Sequence, residues 1–268
     1  MKRILAIMLV VILLISVAAC TKKPTGLTEE EGESAATVKH EYTAPGAADT
    51  FEYDVNEEGN YEITNFRTTN ATLHTVTIPE AIGGIPVTGI ADEAFKAANE
   101  MNAVVIPASV KYIGDAAFYQ CKYLATVVIP DSVTEIGMSS FEGCISLKSV
   151  TLSANLKNIA SGAFALCTAL ESVTFAESVE VVDKGAFMGC TALTKVVFSA
   201  SVKELRDTAF YGCTALESVE IPATVLTFGK YVFHAGNENF TVIAPANTVA
   251  ADYAVANNYG YALPDAAE

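Results

Sequence analysis

Tryptophan is absent from the 268 residues, histidine occurs three times, and basic side chains number 16 against 31 acidic ones. The net charge of −15 excludes nucleic acid and anionic lipid as partners held by charge. His40, His74 and His234 fall in three separate regions, which argues against one metal centre or a Cys-His pair. Phosphate loop, nucleophile elbow and zinc-protease motifs are all missing. These absences predict that the chain is not an enzyme and needs no metal or cofactor. Long apolar runs are lacking too, apart from one at the very start.

That run occupies residues 4–17, follows Lys2 and Arg3, and leads into Val17-Ala18-Ala19-Cys20. It is too short for a membrane span and has the charge pattern of a secretory signal. Its last four residues resemble the bacterial lipobox. That resemblance implies cleavage after residue 19 and a diacylglyceryl group on the Cys20 sulfur, placing the protein in a bacterial cell envelope, extracytoplasmic and surface-exposed. Two or more acyl chains at one site hold a protein stably on a membrane. Loss of residues 1–19 leaves 14 basic residues against 31 acidic ones. Residues 20–50, with Pro24, Pro45 and the run Glu29-Glu30-Glu31, read as a flexible tether. About 30 such residues span roughly 30 Å.

What the sequence has in abundance is repetition. Phenylalanine recurs at Phe95, Phe118, Phe141, Phe164, Phe187, Phe210 and Phe233, always 23 residues apart. Cys121, Cys144, Cys167, Cys190 and Cys213 keep the same step, as do Leu124, Leu147, Leu170, Leu193 and Leu216. A Val at 104, 127, 150, 173, 196 and 219 is followed two residues later by a second apolar side chain. Such a period is the signature of a solenoid, because one unit cannot bury its apolar side alone and stacked units can. Within a unit, Leu-x-x-Val-x-Ile ends in period-two alternation, so Val127 and Ile129 face one side of a short strand. Pro79, Pro107, Pro130 and Pro222 end several of these strands. The segment around Asp115-Ala116-Ala117-Phe118 suits a tight helical or 3₁₀ turn.

The unit at residues 121–141, Cys-x-x-Leu-x-x-Val-x-Ile-Pro-x-x-Val-x-x-Ile-x-x-x-x-Phe, resembles the BspA-like leucine-rich repeats of bacterial surface proteins. The resemblance covers about residues 51–263. It departs from the pattern where Ser153, Ala176 and Ser199 replace proline and Ala98 replaces cysteine. It implies a leucine-rich-repeat solenoid and a role in adhesion or host-protein binding. The expected organisation is a signal peptide (1–19), tether (20–50), capping hairpin (51–72), solenoid (73–243) and C-terminal cap and tail (244–268). In the hairpin, residues 51–55 and 61–66 alternate around Asn56-Glu57-Glu58-Gly59. At the far end residues 248–257 read as a helix with Asn247 as N-cap. There Val249, Ala250, Tyr253 and Ala254 would close the last coil.

Three motifs invite chemistry. The cysteine row points equivalent side chains the same way, so it reads as buried thiols packed as small hydrophobes, not as disulfides or a zinc site. Asp54-x-Asn56-x-Glu58-Gly59 partly resembles a calcium loop, but Asn65 stands where such loops place a bidentate Glu. The third is the outward side of the strands: Ala103, Val105, Thr126, Val128, Ser149, Thr151, Ser172, Thr174, Lys195, Val197, Ser218 and Glu220. These form a sheet face of small, mostly uncharged side chains, and such faces are the extended binding surfaces of repeat proteins. The expected partner is a protein or a glycan outside the cell, with the membrane reached only through the lipid. A purely structural spacer in the envelope is the alternative.

Overall fold

The computed structural model describes residues 40–233 and 239–264. Residues 1–39, with the signal segment and Cys20, lie outside the described residues, as does His234.

The described chain opens with three antiparallel strands: β1 (His40–Thr43), β2 (Asp49–Val55) and β3 (Tyr61–Thr68). Strand β1 corrects the expected tether, which ran to residue 50. His-Glu-Tyr-Thr is too short for a visible alternation, yet it pairs with β2 from His40–Tyr53 to Thr43–Thr50, and Tyr42 packs on the core. Phe51 and Phe66 of the hairpin reach the first repeat phenylalanine, Phe95, with ring centroids 6.4 and 5.2 Å away. Apolar area is thereby removed from water at the first coil. The turn between β2 and β3 is closed by Asn56, whose Oδ1 accepts the Glu58 and Asn60 amides, with Gly59 at φ +81°.

From residue 74 onward the chain winds in coils. One face is a nine-stranded sheet built from β4 (His74–Thr77), β7 (Met101–Val105), β9 (Thr126–Val128), β11 (Ser149–Thr151), β13 (Ser172–Thr174), β15 (Lys195–Val197), β17 (Ser218–Glu220), β19 (Thr241–Ile243) and β20 (Gly260–Ala262). Neighbours are parallel and step by one repeat, as Ser149 opposite Thr126 and Ser172. A second face carries the longer β6 (Ile85–Ile90), which β5 (Ala81–Ile82) joins through Gly83-Gly84. Both glycines have positive φ, which a two-residue hairpin turn of type I′ demands. The rest of that face is two-residue strands: β8 (Tyr112–Ile113), β10 (Glu135–Ile136), β12 (Asn158–Ile159), β14 (Val181–Val182), β16 (Glu204–Leu205) and β18 (Thr227–Phe228).

The third side of each coil is the bend around the repeat phenylalanine. Here turn hydrogen bonds form, such as Tyr119 N to Ala116 O at 2.9 Å, but no helix develops. The reason is two left-handed residues per coil, two before and two after the phenylalanine: Ala116 and Gln120, Ser139 and Gly143, Gly162 and Leu166. Their amides, with that of the phenylalanine, turn to the next coil, as Ala116 N to Met138 O (2.8 Å) and Phe118 N to Ser140 O (2.7 Å). The expected helical turn is therefore a bonded bend whose donors point along the solenoid. Conformations with positive φ strain side chains other than glycine, so each such coil spends local energy to gain stacking bonds.

Inside, the side chains repeat as ladders. From Phe95 to Phe233 successive rings lie 4.9 to 5.4 Å apart and within 12° of parallel, and every one is fully buried. This matches the strand spacing of ~4.8 Å, which explains why a single ring type can occupy all seven levels. At the C-terminal end, α1 (Val249–Ala256) is capped by Thr248, whose side chain accepts the Ala251 amide. Asn247, the expected cap, lies one residue too early and has φ +59°. Ala250, Ala251 and Ala254 face inward and Tyr253 stacks on Phe228 at 4.3 Å, while Val249 is exposed and closes nothing.

Candidate binding surface

The outward side of the nine-stranded sheet forms two columns. Thr75, Ala103, Thr126, Ser149, Ser172 and Lys195 stack in one register; Thr77, Val105 and, further along, Val128 beside Thr151, Thr174 beside Val197, and Glu220 form the other. All ten residues expected to carry binding, Thr126, Val128, Ser149, Thr151, Ser172, Thr174, Lys195, Val197, Ser218 and Glu220, are exposed, while Val127, Val173, Val196 and Val219 between them are buried. Period-two alternation is thus sufficient to place each side chain on its face. Val128 is 60% exposed, high for an aliphatic side chain in a sheet. The face continues past the expected set through Thr241 and Ile243 of β19.

The surface is shallow. A depression of about 330 Å³ lies towards the C-terminal coils and is lined by Lys195, Val197, Phe198, Ser218, Glu220 and Ile243 among others. Phe198 was not singled out from the sequence, because it occupies the inward position two residues after the repeat valine. It is half-buried, and its ring stacks on Phe175 at 5.3 Å. Lys195 and Glu220 are the two charges of the ten-residue set, so the face is nearly neutral on a chain of net charge −15. A surface of this kind gains from desolvation without the penalty of burying unpaired charge.

The other candidate sites resolve differently. The five cysteines of the row are buried and unpaired. Each thiol donates to the carbonyl of the phenylalanine one coil back, Cys121 to Phe95 at 3.0 Å and Cys213 to Phe187 at 3.3 Å. That contact accounts for cysteine where valine or alanine would pack as well. Burial pushes the thiols of Cys167 and Cys213 up to about 12 and that of Cys190 upward too; the Cys121 thiol and burial raise Cys144. Such thiols are poor nucleophiles. The Asp54–Gly59 segment is the hairpin turn described above. Among the described residues no group of three or more His, Cys, Asp or Glu side chains could hold a metal ion.

His74 has a structural partner that the sequence does not reveal. Its Nδ1 lies 2.9 Å from Thr72 O and its Nε2 2.9 Å from Asp49 Oδ1. Both partners are acceptors, so only the imidazolium satisfies both. The Thr72 carbonyl, then Asp49 and Glu100, raise its pKa against the opposing effect of burial. The pair ties β2 of the hairpin to β4 of the first coil. No helix among the described residues is long and apolar enough to cross a membrane.

The BspA type leucine rich repeat region matches the chain in two overlapping stretches, residues 88–213 and 163–258. No curated protein matches it. Among solved structures, a leucine rich cell surface protein from Faecalibacterium prausnitzii is 31% identical with a TM-score of 0.61, over 76% of this chain and 54% of that one. The chain therefore spans about half the length of that relative. The leucine rich repeat protein of T. pallidum is 29% identical with a TM-score of 0.63, over 81% of this chain and 97% of that one. A leucine-rich repeat protein from Eubacterium ventriosum is 25% identical with a TM-score of 0.59, over 68% and 49%. The repeat, its coil and these relatives agree, and the chain belongs to the BspA type leucine-rich repeat family.

Proposed function

We propose that this protein is a lipid-anchored binding module that presents its nine-stranded face to a protein partner outside the cell. The observation that carries the reading is the face itself: ten aligned, exposed, nearly uncharged side chains on a scaffold whose interior is one continuous ladder. Leucine-rich repeat proteins in general bind proteins, and a relative bearing the same coil is a cell surface protein, which supports the setting. Cys20 is the anchor and the residues after it the tether, now ending before β1. Because the face is shallow and has no large aromatic anchor, affinity is spread over neighbouring coils, with the depression around Phe198 the strongest single point.

The test uses immobilised host extracellular-matrix proteins and envelope extract as probes, first with the native chain. Thr151→Lys with Thr174→Lys places two charges in the middle of the face, where an interface core tolerates them least. Lys111→Glu with Lys203→Glu changes charge on the second face and serves as control. Loss of binding in the first variant alone supports the reading. Loss only in the control moves the surface to the other side of the coil. Absence of any bound protein favours the envelope spacer. Separately, Cys20→Ala abolishes incorporation of a labelled fatty acid if the anchor is correctly placed.

A further inference from the structure

On the second face the coils are joined by a regular backbone ladder. One rung runs from Thr134 N to Lys111 O (2.9 Å), Glu180 N to Lys157 O (2.8 Å) and Lys203 N to Glu180 O (2.8 Å). Another runs from Gly137 N to Ile113 O (2.7 Å), Asp183 N to Ile159 O (2.9 Å) and Gly229 N to Leu205 O (2.7 Å). Between β10 and β12 neither rung forms, and the ladder is split there. The same two coils remain joined elsewhere, through Lys148 N to Ala125 O (2.9 Å) on the strand face and Phe141 N to Ala163 O (2.8 Å) at the bend. The coils are therefore separated on one face only.

The sequence changes near the same place. A Cβ built on Gly137 would sit 2.4 Å from Asp115 N, and one on Gly114 2.6 Å from Asp92 N, so these glycines lie close against the preceding coil, whereas Ala91 and Arg206 close the same rung with a Cβ, to Ile63 O at 2.8 Å and Val182 O at 2.9 Å. Down this row stand Ala91, Gly114, Gly137, Ala160, Asp183, Arg206 and Gly229. Gly137 to Ala160 is the one step from glycine to a residue with a Cβ, and it is the step where the ladder opens. The Gly137 turn is unusual in a second way. Ser140 is fully buried with no hydrogen-bond partner for its hydroxyl, where the other coils place Ala94, Ala117, Ala163, Ala186, Ala209 or Val232. A buried polar atom of this sort calls for an explanation beyond packing.

Over this opening lies a depression of about 600 Å³, lined by Thr134, Glu135, Asn155, Lys157, Asn158 and Asp183 among others. Asn155 Nδ2 already donates to Asp131 O of the preceding coil (2.7 Å) and Asp183 Oδ2 accepts from Arg206 Nη1 (2.9 Å), which leaves the Asn158 amide, a hydroxyl, one ammonium and the Glu135 carboxylate, with the Lys157 and Ala160 amides left open by the missing rungs. A peptide strand cannot enter, because the bonded faces hold the coils near the ~4.8 Å strand spacing and an inserted strand needs as much again. Groups the size of a hydroxyl can. A ligand rich in hydroxyls both donates and accepts at each one, which suits this mixed lining. The two carboxylates and the net charge of −15 disfavour an anionic sugar. We propose that the opening between β10 and β12 is a binding site for a neutral saccharide, held by Asn158 and the unbonded backbone of the two coils. This site is independent of the protein-binding face.

The experiment titrates the purified chain with maltohexaose, cellohexaose, mannohexaose and chitohexaose, following backbone amide shifts. The expected result is saturable shifts at residues 134–136 and 155–160 with at least one probe. Asn158→Ala should weaken that probe about tenfold, the loss of one good polar contact, with an unchanged circular dichroism spectrum. Absence of saturable shifts with all four probes overturns the proposal. So do shifts confined to the strand face, or full affinity in Asn158→Ala.

Discussion

The nine-stranded face and the two-residue face are made by the same repeats, wound on the same core, yet one sheet is continuous through all nine strands and the other is split. On the first face each strand offers three to five residues, and the outward side chains of β9, β11, β13, β15 and β17 are exposed. Thr, Val, Ser, Lys and Glu are all accepted there without a change in register. On the second face the rung lies beside a close backbone approach at Gly114, Gly137 and Gly229. The outward positions of the first face are therefore free to vary for a partner. On the second, the ladder splits at the step that follows two closely approaching glycines, Gly114 and Gly137. Tolerance to substitution is a property of the face and not of the repeat.

The most disruptive test alters the period that both faces share. Deleting residues 173–195 removes one whole step of 23 and should leave a folded solenoid, because each coil contacts only its neighbours. Deleting 173–194 shifts every later apolar position by one and should abolish the cooperative melt of the C-terminal coils. Equal behaviour of the two chains by circular dichroism would show that the ladder does not set the fold. Next in size is Phe187→Ala, which removes a fully buried ring stacked at 5.4 and 5.3 Å on its neighbours. Urea unfolding should report a loss of ~3–5 kcal/mol, the usual range for emptying a packed aromatic site.

A smaller effect is expected where the hairpin meets the edge of the first face. His74 has its pKa raised in the fold by the Thr72 carbonyl and Asp49. Its stabilisation is complete below its unfolded pKa of about 6.5 and is lost as pH rises through the higher folded value. Stability should therefore fall through neutral pH, by ~0.2–1 kcal/mol for a pair of this exposure, and His74→Gln should flatten that slope. A slope unchanged in the variant would assign the pH dependence to another group. Smallest of all should be Thr151→Lys with Thr174→Lys, two exposed substitutions on the tolerant face. Their melting curve should shift by no more than about 0.5 kcal/mol, even though binding is lost. A thiol titration of Cys20→Ser sharpens the contrast between interior and faces. None of the five cysteines in the row should react in the native chain, and all five should after denaturation without reductant.

Much of this was legible in the residues alone. Phenylalanine, cysteine, leucine and valine at a constant step of 23 gave the coil and its interior, and alternation around Val127 placed the outward columns. What escaped is set by backbone geometry that many residue types can adopt. The left-handed position before the repeat phenylalanine holds Glu93, Ala116, Ser139, Gly162, Gly185, Thr208 and Tyr231, so no residue type marks it. Strand β1 escaped because four residues cannot display a period. Thr248 and Asn247 both fit the rule for a helix cap, and only the hydrogen bond to Ala251 decides between them. The opening at Ala160 was hidden because Ala91 has the same side chain in the same row and closes its rung, so residue type does not mark the split.

Amide hydrogen exchange on the native chain measures the contrast between the two faces directly. Protection should be uniform across the bonded strand-face amides, such as Lys148 and Ile129, and on the second face high at Thr134, Glu180 and Asp183. Lys157 and Ala160 should exchange far faster than Glu180 and Asp183, which sit one coil further on and make both rungs. Equal protection at these four amides would mean that the second ladder is as continuous as the first and that no site opens between β10 and β12.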